Sequence, residues 1–130
     1  MITLRRTEDV LTTIEPGNDL VTLINVFTVA PENQQRLLDL LAEATTEIIA
    51  GMPGFVSANL HRGLDGTRVA NYAQCRSRQD MEAMLAHPAA ADHLRAVAAL
   101  AVAVEPRLYE VAFVASAPTP MASVAEGNAS

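Results

Sequence analysis

The hydrophobic period of this chain switches between two and 3.6 in a fixed order, and that order admits few folds. Val21 to Val29 is rich in β-branched residues and reads, from residue 20, as a central strand. From Glu32 to Ala50 the apolar positions Leu37, Leu38, Leu41, Ala44 and Ile48 recur at helical spacing, while Asp39, Glu43 and Glu47 keep another face wet. Pro31 suits the first helical position, and Gly51-Met52-Pro53-Gly54 ends the helix. Phe55–Arg62 and Thr67–Cys75 read as two strands of a hairpin joined through Gly63-Leu64-Asp65-Gly66. Ser77 followed by Asp80 caps a short helix with Met81, Met84 and Leu85 on its apolar stripe. His87-Pro88 breaks it and starts another helix through Leu100, and Leu108 to Ala115 is the expected last strand after Pro106.

Strand, helix, strand, strand, helix, strand is the split βαβ order of an α+β, ferredoxin-like domain: a four-stranded antiparallel sheet with helices on one face. Val56, Leu60 and the opposite rows of the other strands suggest a second apolar face. A twofold partner pressed sheet to sheet would cover it, so a homodimer is expected. The expected organisation is a leader or dimer arm over residues 1–19, the domain over 20–116, and a flexible tail over 117–130.

Two asparagines break the apolar rows of this scheme. Asn25 shares a face with Leu23 and Phe27, and Asn71 shares one with Val69, Ala73 and Cys75. Asparagine is unfavourable in strands and costly to bury without partners. The pair therefore points to a polar spot inside an apolar pocket, with a backbone bulge or a dimer contact as the structural alternative. By the same parity Tyr72 points away from Asn71. Of the histidines, His93 is the best placed as a proton acceptor or ligand, because His61 ends a strand and His87 precedes a proline.

Composition narrows the function classes. Half of the 130 residues are hydrophobic, so the chain is a folded domain. No apolar run approaches the roughly 18 residues of a membrane span. The formal net charge is −6 and no basic run occurs, which argues against nucleic acid. The N-terminus lacks the apolar stretch of a secretory signal, giving a cytoplasmic expectation. The single cysteine, Cys75, excludes an internal disulfide and a cysteine zinc cluster. Neither a dinucleotide fingerprint, a phosphate loop nor a histidine metal motif is present, so no cofactor is expected.

The run Val21–Val29, the Met52-Pro53-Gly54-Phe55 turn, Asp65-Gly66-Thr67 and Val69–Gln74 together resemble the antibiotic biosynthesis monooxygenase family over about residues 20–115. The resemblance implies a dimeric α+β barrel. It is strongest to cofactor-independent enzymes that oxidise anthrone-like phenols to quinones with molecular oxygen. It implies that Asn25 and Asn71 are the catalytic pair. Phe27, Cys75, Met84, His93 and Tyr72 are the candidates for substrate contact, with the dimer-side surface as the other place for Tyr72. The chain departs from those enzymes at Cys75, where they carry tryptophan, and the smaller residue predicts a larger pocket. A non-catalytic polyketide-binding or auxiliary protein is the alternative of another class. Haem degradation is a further one, disfavoured because the chain has no tryptophan.

Overall fold

The computed structural model describes residues 10–118. Four strands, β1 (Val21–Val29), β2 (Phe55–Arg62), β3 (Arg68–Cys75) and β4 (Ala101–Tyr109), form one sheet in the order β2-β3-β1-β4. Each neighbouring pair is antiparallel. Helices α1 (Gln34–Glu47), α2 (Arg78–Ala86) and α3 (Pro88–Leu100) contribute the opposing layer, with short 3-10 turns at Pro31–Asn33 and Ile49–Gly51.

Local chemistry places the helices. Ser77 Oγ accepts from the Asp80 N–H at 3.0 Å and opens α2. His87 Nδ1 accepts from the Ala89 N–H at 3.1 Å, and Pro88 takes the first turn of α3. Buried Gln34 ties the start of α1 to the hairpin, its Nε2 donating to the carbonyls of Gly63 and Arg68 at 3.0 Å each. Gly54 has φ +85°, and a Cβ there would overlap the Asp80 side chain, so only glycine fits the turn into β2.

Two apolar clusters lie between sheet and helices. Phe27, Val29 and Val69 meet Leu37, Leu38 and Val97 in one. Leu23, Ala73 and Cys75 meet Met81 and Met84 in the other.

The last strand begins earlier than its sequence suggests. β4 leaves α3 directly at Ala101 and ends at Tyr109, so of the expected Leu108–Ala115 strand only Leu108 and Tyr109 are in the sheet. It carries Pro106 within it. An edge strand tolerates this, because a residue whose N–H side faces outward has no ladder bond to lose.

The expected dimeric α+β barrel is not what the chain forms. β2 and β4 are the two edges of the sheet and do not pair with each other, so the sheet stays open. The argument for sheet-to-sheet cover also loses its footing at β2. A bulge between Phe55 and Ser57 inserts Val56 and shifts the parity of the strand. Leu60, opposite Asn71, thereby packs on the helix-side cluster, while Ser57, Asn59 and His61 turn outward beside Gln74, Tyr72 and Ala70. This outer region is polar, and residues of the leader already meet it: Thr12 Oγ1 donates to Asn59 Oδ1 at 2.6 Å, and Gln74 Nε2 donates to the Thr13 carbonyl at 2.9 Å. Residues 1–9 of the expected leader and 119–130 of the expected tail lie outside the described residues. Among the described residues no helix is long and apolar enough to cross a membrane.

Candidate active site

The middle row of the sheet carries the anomaly. Across the four strands it reads Leu60, Asn71, Asn25, Pro106, with Asn25 directly opposite Asn71. On one side the Phe27/Val69 row belongs to the first apolar cluster; on the other, Leu23/Ala73 belongs to the second. The two amides therefore sit between the clusters, where the sheet faces the helices.

A cavity of about 120 Å³ opens at this place. Its sheet wall includes Asn25, Asn71, Leu23, Phe27 and the small residues Ala58 and Ala73, which leave room above the strands. Helix α1 contributes Leu41, Ala44 and Thr45; α2 contributes Met81, Met84 and Leu85; α3 contributes Ala90, His93, Leu94 and Val97. The α3 residues fall at i, i+3, i+4 and i+7, one helical face. Leu85 and Leu94 are 45% and 43% exposed, which puts them at the mouth.

Polarity in the cavity is sparse. The side-chain oxygens of Asn25 and Asn71 are both buried and make no hydrogen bond among the described residues. An unsatisfied buried acceptor costs about 1–3 kcal/mol. The two lie side by side in an otherwise apolar cavity. Thr45 is occupied, its hydroxyl donating to the Leu41 carbonyl at 2.9 Å. Gln74 borders the cavity, but its amide is engaged elsewhere, with Thr13 and with Ser57 Oγ at 2.8 Å. Among the described residues no three of His, Cys, Asp and Glu converge as metal ligands would.

Of the residues singled out by sequence, the cavity wall brings together Asn25, Asn71, Phe27, Met84 and His93. Tyr72 is not on it: it pairs with Ile24 and Asn59 on the outer side of the sheet, as its parity requires. Cys75 is not on it either. Its side chain is 0% exposed within the second cluster, where Met81 and Met84 are also buried, so the expected enlargement of the pocket at Cys75 does not occur. Sequence reasoning missed the α1 wall and the alanine floor. Ala58 could have been flagged by parity only with the bulge known.

The model of the family described as antibiotic biosynthesis monooxygenase matches residues 20–99. The chain is 52% identical over 83 residues to tetracenomycin-F1 monooxygenase of Streptomyces glaucescens, a match covering 64% of this chain and 74% of that protein. Among solved structures it is similar to SnoaB, a cofactor-independent oxygenase from Streptomyces nogalater, at 30% identity and a TM-score of 0.65, covering 74% of this chain and 96% of that one. It is similar also to the ActVA-Orf6 monooxygenase of Streptomyces coelicolor in complex with nanaomycin D, at 30% identity and a TM-score of 0.68, covering 76% and 92%. The matched residues span β1 through α3 and so include the sheet rows and helical faces that build the cavity. The chain belongs to the antibiotic biosynthesis monooxygenase family.

Proposed function

We infer that this protein is a cofactor-independent monooxygenase that oxidises a polycyclic aromatic polyketide, an anthrone or related phenol, to a quinone with molecular oxygen. The observation that carries the site assignment is the pair of buried amide oxygens, Asn25 and Asn71, facing each other without partners in an otherwise apolar cavity. A phenolic hydroxyl donates to such an oxygen. Rotation of the amide presents its NH₂ instead, a donor for the phenolate or peroxide oxygen that develops during reaction. Neutral amides do this over the whole ordinary pH range.

The substrate supplies the electronic step. An anthrone-type carbanion is resonance-stabilised and passes one electron to oxygen; recombination gives a peroxide that collapses to quinone and water. The protein's part is to orient the ring system, exclude water and stabilise negative charge on oxygen. Phe27 and Met84 supply an aromatic face and a polarisable thioether for the rings. A volume of about 120 Å³ is small beside the ~300–1,000 Å³ of common ligand pockets. A three- or four-ring substrate therefore spreads the Leu85/Leu94 mouth or projects through it.

Residues 20–116 are the catalytic domain in this reading. Association of two copies belongs to the same proposal, supported by Phe113 at 81% exposure and Val102 at 75%. Sedimentation at micromolar concentration tests it. A cytoplasmic site of action is consistent with the single free cysteine.

Oxygen uptake with a simple anthrone such as dithranol is the direct test. Wild type is expected to consume oxygen and form the quinone, and Asn71→Ala to lose about 100- to 1,000-fold in rate. Tight binding of such phenols without turnover would favour an auxiliary binding protein.

A further inference from the structure

We propose that His93 is the proton shuttle of this site, taking the proton from the substrate carbon and returning it to the oxygen adduct. The proposal rests on the reading of the cavity as an oxygenation site. The reaction replaces a CH₂ with a carbonyl, so two protons leave carbon, and the amides of Asn25 and Asn71 cannot accept them.

Among the described residues His93 is the one ionisable side chain on the cavity wall. Among the described residues no carboxylate borders the cavity to compete. The adjacent Asp92 is engaged with Arg95. The other two histidines are elsewhere: His61 is exposed on the outer side of β2, and the Nδ1 of His87 caps α3. His93 lies between Ala90 and Leu94 on the helical face that meets the sheet, and it is half-buried beside the mouth at Leu94. One side of the ring therefore meets the substrate while the other exchanges protons with solvent.

The steps balance as follows. The imidazole takes one C–H proton, leaving the carbanion. One electron passes to O₂, and superoxide and the carbon radical combine to form the C–O bond. The imidazolium returns its proton to the peroxide anion, giving the hydroperoxide. The imidazole then removes the second C–H proton as the O–O bond breaks: the C–H electron pair becomes the second bond of the carbonyl, and hydroxide leaves with the O–O pair. The imidazolium protonates that hydroxide to water. Anthrone and O₂ have become quinone and H₂O, with the histidine unchanged.

Mixing the full-length protein with anthrone under anaerobic conditions isolates the first step, because the anion is coloured and accumulates without oxygen. Wild type is expected to ionise the bound anthrone. His93→Gln is expected to weaken binding of the quinone product by no more than a few-fold, to form the anion about 100- to 10,000-fold more slowly, and to lose aerobic turnover by a similar factor. Added imidazole should restore part of the rate to His93→Ala. Anion formation by His93→Gln within a few-fold of wild type overturns the proposal, as does a folded His93→Ala that imidazole does not rescue. Parallel loss of product binding and ionisation in His93→Gln assigns the residue to holding the substrate and overturns the proton role. Failure of wild type to oxidise any anthrone removes the functional reading instead; the anaerobic ionisation still reports separately on His93.

Discussion

Replacing Asn71 by leucine is expected to move stability and activity in opposite directions. The Asn71 oxygen is buried without a partner, opposite an equally unpaired Asn25 oxygen and beside Leu60. Leucine matches asparagine in the number and branching of its side-chain heavy atoms, the cavity beside it takes up its greater bulk, and it removes the stranded acceptor, so the penalty of about 1–3 kcal/mol attached to that oxygen is relieved. For a domain of this size each kcal/mol moves the melting temperature by roughly 4–8 °C, so Asn71→Leu should melt several degrees above wild type. Turnover should fall about 100- to 1,000-fold, because a hydrogen-bonding group aimed at the developing oxyanion is gone. Asn25→Leu should behave similarly, and the double variant should not be additive, since the two residues are direct neighbours. Circular dichroism melting and an oxygen electrode give both readouts from one preparation. An Asn71→Leu variant that melts below wild type would show that the amide has partners in the resting protein. Full activity in that variant would remove Asn71 from the chemistry.

Three further outcomes are expected. Cys75→Trp introduces an indole where the cysteine is fully buried among Leu23, Ala73, Met81 and Met84, and it should cost about 1–3 kcal/mol in urea denaturation with no gain in turnover; a stable variant with faster oxygen uptake would mean that the cavity extends to this position. Gly54→Ala forces a side chain onto φ +85° and against Asp80, so its urea midpoint should correspond to a loss exceeding the ~1–2 kcal/mol of a left-handed residue alone. The Asp65 carboxylate accepts from the Thr67 N–H at 2.9 Å and the Thr67 hydroxyl at 2.7 Å, which holds its pKa below the ordinary aspartate range. Its folded value being the lower one, this contribution is complete above the unfolded pKa and disappears as pH falls through the folded one. An NMR titration should show the depressed midpoint, and Asp65→Asn should weaken the acid dependence of stability.

The parity of β1 and β3 made it possible to place Asn25 and Asn71 on apolar rows before any contact was known, because side chains in an unbulged strand alternate without exception. The same rule assigned Tyr72 to the face opposite Asn71. It failed at β2, where one extra residue at Val56 turns Leu60 from the outer face to the core. Nothing in Phe55-Val56-Ser57 marks a bulge locally; it is a property of the pairing with β3. Pro106 misled for a related reason, since its cost depends on whether the strand is central or at an edge, and edge status comes from the sheet order.

The order of elements, the capping at Ser77, the glycine at 54 and the presence of two polar residues on buried rows were determined by the chain itself, because each depends on interactions within a few residues or on a fixed backbone period. Tertiary structure decided that Asn25 and Asn71 are cross-strand neighbours, that alanines at 58 and 73 leave the space above them, and that His93 enters that space while Cys75 does not. It also decided that Thr12 and Thr13 cover part of the outer sheet face. These are matters of register, helix placement and packing between segments far apart along the chain. Such relations are set by the mutual fit of whole surfaces, which no local pattern encodes.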